Sequence, residues 1–404
     1  MPDASFLLEN KIKMTRKKSN IIVGIDVGTA QVKVVVVRIQ PGSDRPAPQL
    51  LGTGSAESRG LRNGYIVNEG EIVRSIKSAV AKAEQQAGVP IKRVYAGIGS
   101  IGIDEIEATG EIIPARADSE ITEHDLEKVA ADSEERVLDR IPNRRILHTI
   151  PLRYRVDNEV VLGRVAGMRG TKLEVDSLFI TTYEQHLHEL TNALEAADLI
   201  VEDVAASPLA ASLVLLTKAQ KRAGCVLVNI GAETVSVVIF EDDLPISVKI
   251  FPIGSADITN DLALGLRIPL EEAEKLKRGG MTSVTVPKKK VDEIITARLT
   301  DIFELIDNHL KKLKKDGLLP AGAILTGGGA NLMLAKDVAS STLHLPARFA
   351  TLEISKATKL KESTWTVAYG LCLIGASSND ERSSIGIVKQ PRRSLWEWFN
   401  QFLP

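Results

Sequence analysis

Two short segments of the chain place a polar side chain after an apolar run, then a glycine, and then a second apolar run. Asp26 and Gly28 lie in the first segment, and Asn229 and Gly231 occupy the same places in the second. A glycine in a tight turn lets the backbone approach an anion closely, so that several N–H groups can point at a phosphate. The repeated order predicts two equivalent strand–turn–strand hairpins, in two similar domains that face one cleft.

Side chains around the two turns add groups that phosphate chemistry needs. Thr29 supplies a hydroxyl donor, Lys33 a positive charge, and Asp26 a carboxylate that can hold hydrated Mg²⁺, because magnesium prefers oxygen ligands and retains water. The second turn continues with Ala232, Glu233 and Thr234. Glu233 puts a negative charge near the expected phosphates and could weaken nucleotide binding.

A third candidate element lies near the end of the chain's body. Residues 323–325 predict a short buried strand, and it is followed by Gly327, Gly328, Gly329 and Asn331 before a predicted helix. Such a turn can offer a flat backbone surface to a purine or a ribose near a helix N-terminus. It can equally be a tight strand-to-helix turn in which glycine serves geometry alone, and the sequence leaves both interpretations open.

Composition and length indicate a cytoplasmic protein of two or more lobes. The 404 residues are 44% hydrophobic and 25% charged, which leaves ample material for a core. A formal net charge of −1 gives no electrostatic basis for binding nucleic acid. Cys225 and Cys372 stand in apolar runs, so a reducing compartment is expected. The sequence shows neither a secretory signal nor an apolar stretch of about 20 residues, so we expect membrane contact to be peripheral.

Changes in composition divide the chain into successive regions. They are a basic disordered tail at 1–19, a first domain at 20–91, an inserted α+β subdomain at 92–181, a return to the first domain with a hinge at 182–222, a second domain at 223–376, a flexible linker at 377–391 and a terminal helix at 392–404. The spacing of apolar residues predicts helices at 71–86, 123–138, 183–197, 208–220, 257–266, 270–277 and 291–313.

The terminal segment combines a basic start with an amphipathic pattern. At about 100° per residue its large apolar side chains fall on one side of a helix, opposite Glu397, Asn400 and Gln401. Tryptophan favours the headgroup boundary, and basic side chains are attracted to anionic lipid. The pattern predicts membrane contact through Arg392, Arg393, Leu395, Trp396, Trp398, Phe399, Phe402 and Leu403. A helix that packs back on the body is the alternative.

The two hairpins and the glycine segment together resemble the nucleotide motifs of the actin-like ATPase superfamily. Residues 325–331 resemble its adenosine motif, and residues 205–210 and 365–375 resemble the two connecting segments that form its interdomain hinge. The resemblance implies an α/β protein with the actin-like ATPase fold, in which two duplicated domains surround a nucleotide cleft, with a small inserted α+β subdomain and a C-terminal amphipathic helix. It also implies ATP and Mg²⁺ as ligands.

Within that superfamily the chain resembles the FtsA cell-division proteins. The similar stretches are residues 147–157 and 167–175 at the end of the inserted subdomain, and residues 252–254, 258–263 and 273–277 below the second hairpin. For the latter, the resemblance implies nucleoside contacts from Glu274 and Lys277. It further implies a protein at the cytoplasmic face of the membrane, at the division site, that anchors the FtsZ ring. The implied partners are FtsZ, other division proteins, anionic lipids and further copies of the chain in filaments, with no nucleic acid.

The chain departs from the family pattern at three places. The second hairpin carries Asn229 where an aspartate is usual, and Ala232 and Glu233 stand where small residues are usual. Residues 277–292 are short for the subdomain that is expected to meet FtsZ. Because phosphoryl transfer depends on positioned charges, we expect ATP binding with slow or absent hydrolysis.

Two alternatives stay open on the same fold. A small-molecule kinase or a chaperone-type ATPase would need a catalytic base, and the first connecting segment offers Ser207 but no carboxylate, which argues against this class. A PilM-like pilus-assembly scaffold is the second alternative. The amphipathic tail after a linker favours the division protein over it.

Overall fold

The structure is a computed structural model that describes residues 21–39, 48–114, 119–282, 286–351 and 363–384. In chain order the strands are β1 (Ile21–Val27), β2 (Gln31–Arg38), β3 (Gln49–Glu57), β4 (Leu61–Arg62), β5 (Tyr65–Ile66), β6 (Arg93–Ile98), β7 (Asp104–Ile112), β8 (Arg144–Val156), β9 (Glu159–Val161), β10 (Leu173–Tyr183), β11 (Ile200–Ala206), β12 (Cys225–Ile230), β13 (Val235–Glu241), β14 (Leu244–Phe251), β15 (Ala323–Thr326) and β16 (Ala347–Phe349). The helices are α1 (Glu69–Ala87), α2 (Glu123–Leu138), α3 (Glu184–Glu195), α4 (Ser207–Leu215), α5 (Lys218–Ala223), α6 (Ser255–Leu266), α7 (Leu270–Lys277), α8 (Lys288–Lys312), α9 (Ala335–Leu343) and α10 (Thr366–Ser384).

Two five-stranded sheets share one topology and form the two lobes. The first has the order β11-β6-β1-β2-β3, and the second has the order β16-β15-β12-β13-β14. In each, the central strand pairs antiparallel with the strand that follows it in the chain and parallel with the strand on its other side. The duplication predicted from two hairpins therefore extends over both whole sheets.

The central strand of the second sheet shows why these runs form buried strands. Val226 and Val228 belong to the apolar core of the second lobe, whereas Cys225 and Leu227 belong to a second core that continues into the first lobe. Side chains alternate between the two faces of a strand, so a run that is apolar at every position is buried on both faces. Helices therefore cover each side of this sheet.

Helix α1 illustrates how local signals set the bounds of an element. The Asn68 side chain accepts a hydrogen bond from the Glu71 backbone N–H at 3.2 Å, and Gly88 ends the helix with a φ of 68°. Ile72 and Ile76 are fully buried on the face that packs against β3. The helix predicted at 71–86 is confirmed.

The inserted subdomain is a four-stranded antiparallel sheet of order β7-β10-β8-β9 with α2 packed on it. Thr122 and Asp125 form a capping box at the start of α2, and Val129 is buried beneath it. The helix predicted at 123–138 has the bounds that the structure shows. The first strand of the insert also contacts the second lobe, where Ser247 Oγ donates to the Glu105 carboxylate at 2.7 Å.

Helices α4 and α10 connect the lobes and cross at close range. A Cβ atom on Gly370 would lie 2.0 Å from the carbonyl oxygen of Ala210, so only glycine allows this approach. Leu209 and Leu371 belong to one buried cluster that reaches from the first sheet to Leu227 on the second. The connecting segments at 205–210 and 365–375 contribute to these two helices.

The boundary drawn at residue 92 for the insert is wrong. Strand β6 lies inside the first sheet, where Gly97 is in register with Asp26 on one side and Ala205 on the other. The inserted sheet begins only with β7 at Asp104. A short apolar strand does not reveal its pairing partners, because those are set by residues far away in the chain.

The boundary drawn at 376 is wrong for a related reason. Helix α10 packs on the first sheet, where a Cβ atom on Gly24 would lie 2.0 Å from the carbonyl oxygen of Ala368. Its helical conformation continues to Ser384, so the first part of the linker predicted at 377–391 is helical. The rest of that linker lies outside the described residues.

The helix predicted at 208–220 is in fact two helices. Thr217 and Gln220 form a capping box that starts α5, so the chain leaves α4 at Leu216. The other predicted helices are present with ends that shift by a few residues. In the part of the chain that the structure describes, no helix is both long and apolar enough to cross a bilayer. The predicted tail at 1–19 and terminal helix at 392–404 lie outside that part.

Candidate functional site

The two predicted hairpins have the same turn geometry. The backbone N–H of Gly28 donates to the carbonyl of Gln31 at 3.2 Å, and that of Gly231 donates to the carbonyl of Thr234 at 2.8 Å. Each turn thus closes with one hydrogen bond between its first and fourth residues. Because the turns correspond residue by residue, side chains at matching positions can be compared directly.

The first hairpin carries an acidic and a basic side chain opposite each other. Asp26 on β1 is in register with Lys33 on β2. Burial raises the pKa of the Asp26 carboxyl to about 6, although the Lys33 ammonium lowers it in part. Lys33 Nζ also donates to the carbonyl of Thr364 at 2.9 Å, just before α10. A cation or metal that approached Asp26 would favour its charged form.

The second hairpin is held by the start of α6. The N–H of Ser255 donates to the carbonyl of Gly231 at 2.9 Å, and the N–H of Ala256 donates to that of Ala232 at 2.8 Å. A Cβ atom on Gly254 would lie 2.3 Å from the Ala232 carbonyl oxygen. The turn that contains Ala232, Glu233 and Thr234 therefore has a fixed backbone.

Glu233 reaches across to the first lobe, which the sequence did not predict. Its carboxylate accepts a hydrogen bond from the backbone N–H of Asn63 at 2.6 Å. Asn63 and Gly64 form the two-residue turn between β4 and β5, and both have positive φ values, 50° and 81°. The Asn–Gly dipeptide is a strong hairpin signal and could have located this turn. Its partner, 170 positions away, has no sequence signal.

The glycine segment packs directly against the second hairpin. Gly327 has a φ of +90°, and a Cβ atom there would lie 2.3 Å from Asn229 Oδ1. Gly329 is packed in the same way against Ile230, whereas a Cβ atom on Gly328 would meet nothing within 4 Å. Glycine thus serves geometry at Gly327 and Gly329, and Gly328 borders open space. The geometric interpretation therefore applies at Gly327 and Gly329, and the nucleoside interpretation stays a prediction for Gly328.

The expected helix N-terminus beside the glycines is not there. The segment from Gly328 to Asn331 is a single 3₁₀ turn, and α9 begins only at Ala335. Gly327, with a φ of +90°, precedes this turn and separates it from the end of β15. Asn331 is exposed on this turn.

Glu274 and Lys277 form an ion pair below the second hairpin. Lys277 Nζ lies 2.6 Å from the Glu274 carboxylate and donates to the Ser255 carbonyl and to Thr259 Oγ1. Thr259 in turn donates to Glu274, and these charge-assisted contacts keep the pKa of the Glu274 carboxyl below its usual range even though burial opposes this shift. The pair fixes α7 against the start of α6, beside the turn at Gly231.

Of the buried hydroxyls that have no hydrogen-bond partner among the described residues, three lie close to the two hairpins. They are those of Ser100, Ser207 and Thr326. Thr326 is in register with Asn229, and Ser207 Oγ lies close to Gly97, which is in register with Asp26. Buried polar groups are normally paired, so these hydroxyls indicate room for water or a ligand at the strand ends.

These features fit a nucleotide with magnesium. Asp26 is a carboxylate that could hold Mg²⁺ through water, as is common when a phosphate supplies further ligands. The two glycine turns, Thr29 and Lys33 are suited to phosphate, and Gly328 leaves space for the nucleoside. Within the described ranges, no three His, Cys, Asp or Glu side chains gather as a metal cage. The eight residues predicted to contact membrane, from Arg392 to Leu403, lie outside those ranges.

Two family models match separate parts of the chain. The model "Cell division protein FtsA" matches residues 226–370, and the model "SHS2 domain inserted in FTSA" matches residues 105–181. The first covers most of the second lobe. The second begins one residue after the start of β7, the first strand of the inserted sheet, which supports the corrected boundary.

Similar proteins match the chain over nearly its whole length. The cell division protein FtsA of Pseudomonas aeruginosa is 27% identical, and the match covers 92% of this chain and 93% of that protein. FtsA of Bacillus subtilis is 28% identical over 82% of this chain and 79% of its own length. FtsA of Escherichia coli K12 is 27% identical over 96% of this chain and 98% of its own length.

Solved structures show the fold of the chain. A chain of the PilM-PilN type IV pilus biogenesis complex has a TM-score of 0.66 at 18% identity. The match covers 88% of this chain and 98% of the pilus-complex chain. MreB5 of Spiroplasma citri bound to ADP has a TM-score of 0.53 at 12% identity, covering 91% and 99%. These likenesses show the actin-like ATPase fold. At such identities they say nothing further, so the likeness to the pilus complex does not favour the scaffold alternative.

Proposed function

The chain belongs to the FtsA family of cell division proteins with the actin-like fold, and we propose that it binds ATP with Mg²⁺ and anchors the FtsZ ring to the cytoplasmic membrane. The observation that carries the nucleotide part is the pair of hairpins with one turn geometry. The Asn63–Glu233 hydrogen bond brings the second of these turns to the lobe that holds the first. The phosphates would lie between the two.

Most of the predicted site residues receive a role in this proposal. Asp26 holds Mg²⁺ through water, and Lys33 balances the charge of the phosphates. The backbone N–H groups of the turn residues that follow Gly28 and Gly231 contact the phosphate chain, together with the Thr29 and Thr234 side chains. The nucleoside lies on the open side of Gly328, near Asn331. Glu274 and Lys277 act on the site through α6, whose start they support, as well as through any contact with the nucleoside.

Anchoring is proposed for the segment 392–404, which joins the body after α10. Its apolar face carries Trp396 and Trp398, and Arg392 and Arg393 precede it. A free helix this short is marginal in water, so burial of the aromatic face in a bilayer supplies the folding free energy. Division-site partners and head-to-tail filaments of the chain on the membrane belong to the same proposal, since a contact that does not close gives a filament.

Co-sedimentation of FtsZ with anionic vesicles tests the proposal as a whole. With ATP and Mg²⁺, the intact chain should carry FtsZ into the vesicle pellet, and FtsZ alone should stay in solution. Trp398→Glu should abolish both its own binding and that of FtsZ, because a charge on the apolar face must be desolvated. Asn400→Glu is the matched control, since it adds the same charge on the polar face and should bind as wild type does.

Two results would contradict the proposed anchoring. Equal pelleting of wild type and Trp398→Glu would show that the tail is not the anchor. Pelleting of the chain without FtsZ would show that the chain binds the membrane but does not tether FtsZ to it.

A further inference from the structure

Glu233 occupies a turn position in the second lobe whose counterpart in the first lobe is uncharged. The turn hydrogen bonds align Gly28 with Gly231 and Gln31 with Thr234, so Ala30 corresponds to Glu233. Across the described part of the chain, Glu233 forms no ion pair with a lysine or arginine. Its carboxylate instead accepts the hydrogen bond from the backbone N–H of Asn63, on the opposite lobe.

In the first lobe, the residue that donates this hydrogen bond, Asn63, lies in a turn that is tightly packed. Gly64 is so close to the end of β6 that a Cβ atom there would lie 2.6 Å from Ser100 Cα and 2.9 Å from the Gly99 carbonyl oxygen. The N–H of Ile101 donates to the carbonyl of Asn63 at 3.4 Å. The tip of the β4–β5 hairpin is thereby fixed to the ends of the strands that surround Asp26.

The support in the second lobe is equally rigid. The carbonyls of Gly231 and Ala232 are bonded to the first turn of α6, which sets the backbone on which Glu233 stands. Two rigid supports mean that the distance between Asn63 and Glu233 follows the separation of the lobes. The bond can form only when the lobes are close, so it belongs to a closed cleft.

On the premise that the cleft binds nucleotide, we propose that the Glu233 carboxylate holds the cleft closed when no nucleotide is bound. The terminal phosphate of a bound nucleotide then displaces this carboxylate from the Asn63 amide. A phosphate bound by the second turn brings like charge to the Glu233 carboxylate, and like charges at close range repel strongly. The closed form is then available to the nucleotide-free chain. The same repulsion weakens the binding of ATP more than that of ADP, because the longer phosphate chain carries more charge toward Glu233.

Amide hydrogen exchange at Asn63 tests the bond itself. In the nucleotide-free protein this amide should exchange slowly, and Glu233→Ala should speed its exchange by about tenfold or more. Glu233→Gln keeps an acceptor oxygen without the charge and should retain most of the protection. Glu159→Gln, which removes an exposed carboxylate from the insert, is the matched control and should change nothing at Asn63. Fast exchange at Asn63 in the wild type, or unchanged exchange in Glu233→Ala, overturns the proposal.

Titration with ATP and ADP in the presence of Mg²⁺ tests the displacement. Glu233→Gln should bind ATP on the order of tenfold more tightly than wild type, with a smaller gain for ADP. Addition of ATP to wild type should speed exchange at Asn63. If wild type binds ATP and Glu233→Gln binds it no better, the inference is wrong and the nucleotide-binding function stands. If no variant binds either nucleotide, the proposed nucleotide function is wrong and the displacement fails with it.

Discussion

The two glycine hairpins share a backbone and differ in nearly every side chain that does chemistry. The first places a carboxylate opposite an ammonium, at Asp26 and Lys33. At the same register position the second places an amide opposite a hydroxyl, at Asn229 and Ser236. Its carboxylate, Glu233, stands instead in the turn. The duplicated fold therefore preserves the turn geometry while its side chains diverge, and in the proposed function the first hairpin holds Mg²⁺ and the second contacts phosphate.

The surroundings reinforce this division. The first turn has its charged groups near α10, where Lys33 bonds the Thr364 carbonyl. The second turn is held by α6 and by Gly327, which presses on Asn229. The first hairpin can thus respond to pH and to cations, whereas the second is rigid. Changes at Gly327, which packs on the second hairpin, should act mainly through sterics, and changes at Asp26 or Lys33 mainly through charge.

The largest effect is expected from Gly327→Ala, which tests the rigidity of the second hairpin. The new Cβ would lie 2.3 Å from Asn229 Oδ1 and 2.4 Å from the Ile230 carbonyl oxygen, in a backbone conformation with a φ of +90° that disfavours alanine. We expect a loss of roughly 3 kcal/mol or more in the free energy of unfolding, measured by urea denaturation.

Gly328→Leu is the matched control for that change. Its side chain would enter open space, so the free energy of unfolding should stay within about 1 kcal/mol of wild type. Nucleotide affinity should nevertheless fall by about tenfold or more, because the leucine occupies the surface proposed for the nucleoside. Equal stability of Gly327→Ala and wild type would contradict the structural role, and unchanged ATP binding by Gly328→Leu would contradict the ligand surface.

Asp26→Asn tests the charged hairpin and should have an intermediate effect. The pKa of Asp26 is raised from 3.8 to about 6, so its ionised form is disfavoured in the folded protein. The contribution of this group to stability is full below pH 4 and is lost as pH rises through 6. At pH 7.5 the variant should therefore be more stable than wild type by up to about 3 kcal/mol, since one pKa unit equals roughly 1.4 kcal/mol.

Binding of ATP with Mg²⁺ should change in the opposite direction. In wild type the affinity should fall as pH drops below 6, because Asp26 then becomes protonated. In Asp26→Asn the affinity should be weaker by about tenfold or more and nearly independent of pH in this range. The comparison of the two hairpins fails if urea denaturation finds the variant less stable at pH 7.5, or if its ATP affinity keeps the pH dependence of wild type.

Local features of the site were predictable because they depend on neighbouring residues. A glycine two positions after a polar side chain predicted both turns, and the spacing of apolar residues predicted the bounds of α2 at 123–138. The repeated hairpin order predicted two similar lobes that face one cleft, and the resemblance identified the fold. The position of Thr217 three residues before Gln220 also marks the start of α5, and this signal was missed.

The remaining features depend on contacts between residues that are distant in the chain. Strand β6 was assigned to the insert because its position in the first sheet is set by Asp26 and Ala205, on strands far away. Helix α10 was assigned to the second lobe although its apolar face fits against Gly24. The hydrogen bond from Asn63 to Glu233 depends on how the lobes meet. The order of residues along the chain alone therefore does not determine the position of β6, the position of α10 or this hydrogen bond.

The smallest effect is expected from Asn229→Asp, which makes the second hairpin chemically more like the first. Wild type should hydrolyse ATP more slowly than about 1 s⁻¹, the low end for efficient phosphoryl-transfer enzymes. Aspartate has nearly the shape of asparagine, so it fits the tight space against Gly327. It adds a proton acceptor and a charge for Mg²⁺, and we expect turnover to rise by a few-fold to about tenfold.

Asn229→Ala, which removes the amide and adds no carboxylate, should show no rise. Steady-state phosphate release measures both variants. A wild-type turnover above the stated rate would show that the asparagine does not limit the chemistry, and equal turnover in the two variants would assign the slow step to Glu233 or to the connecting segment.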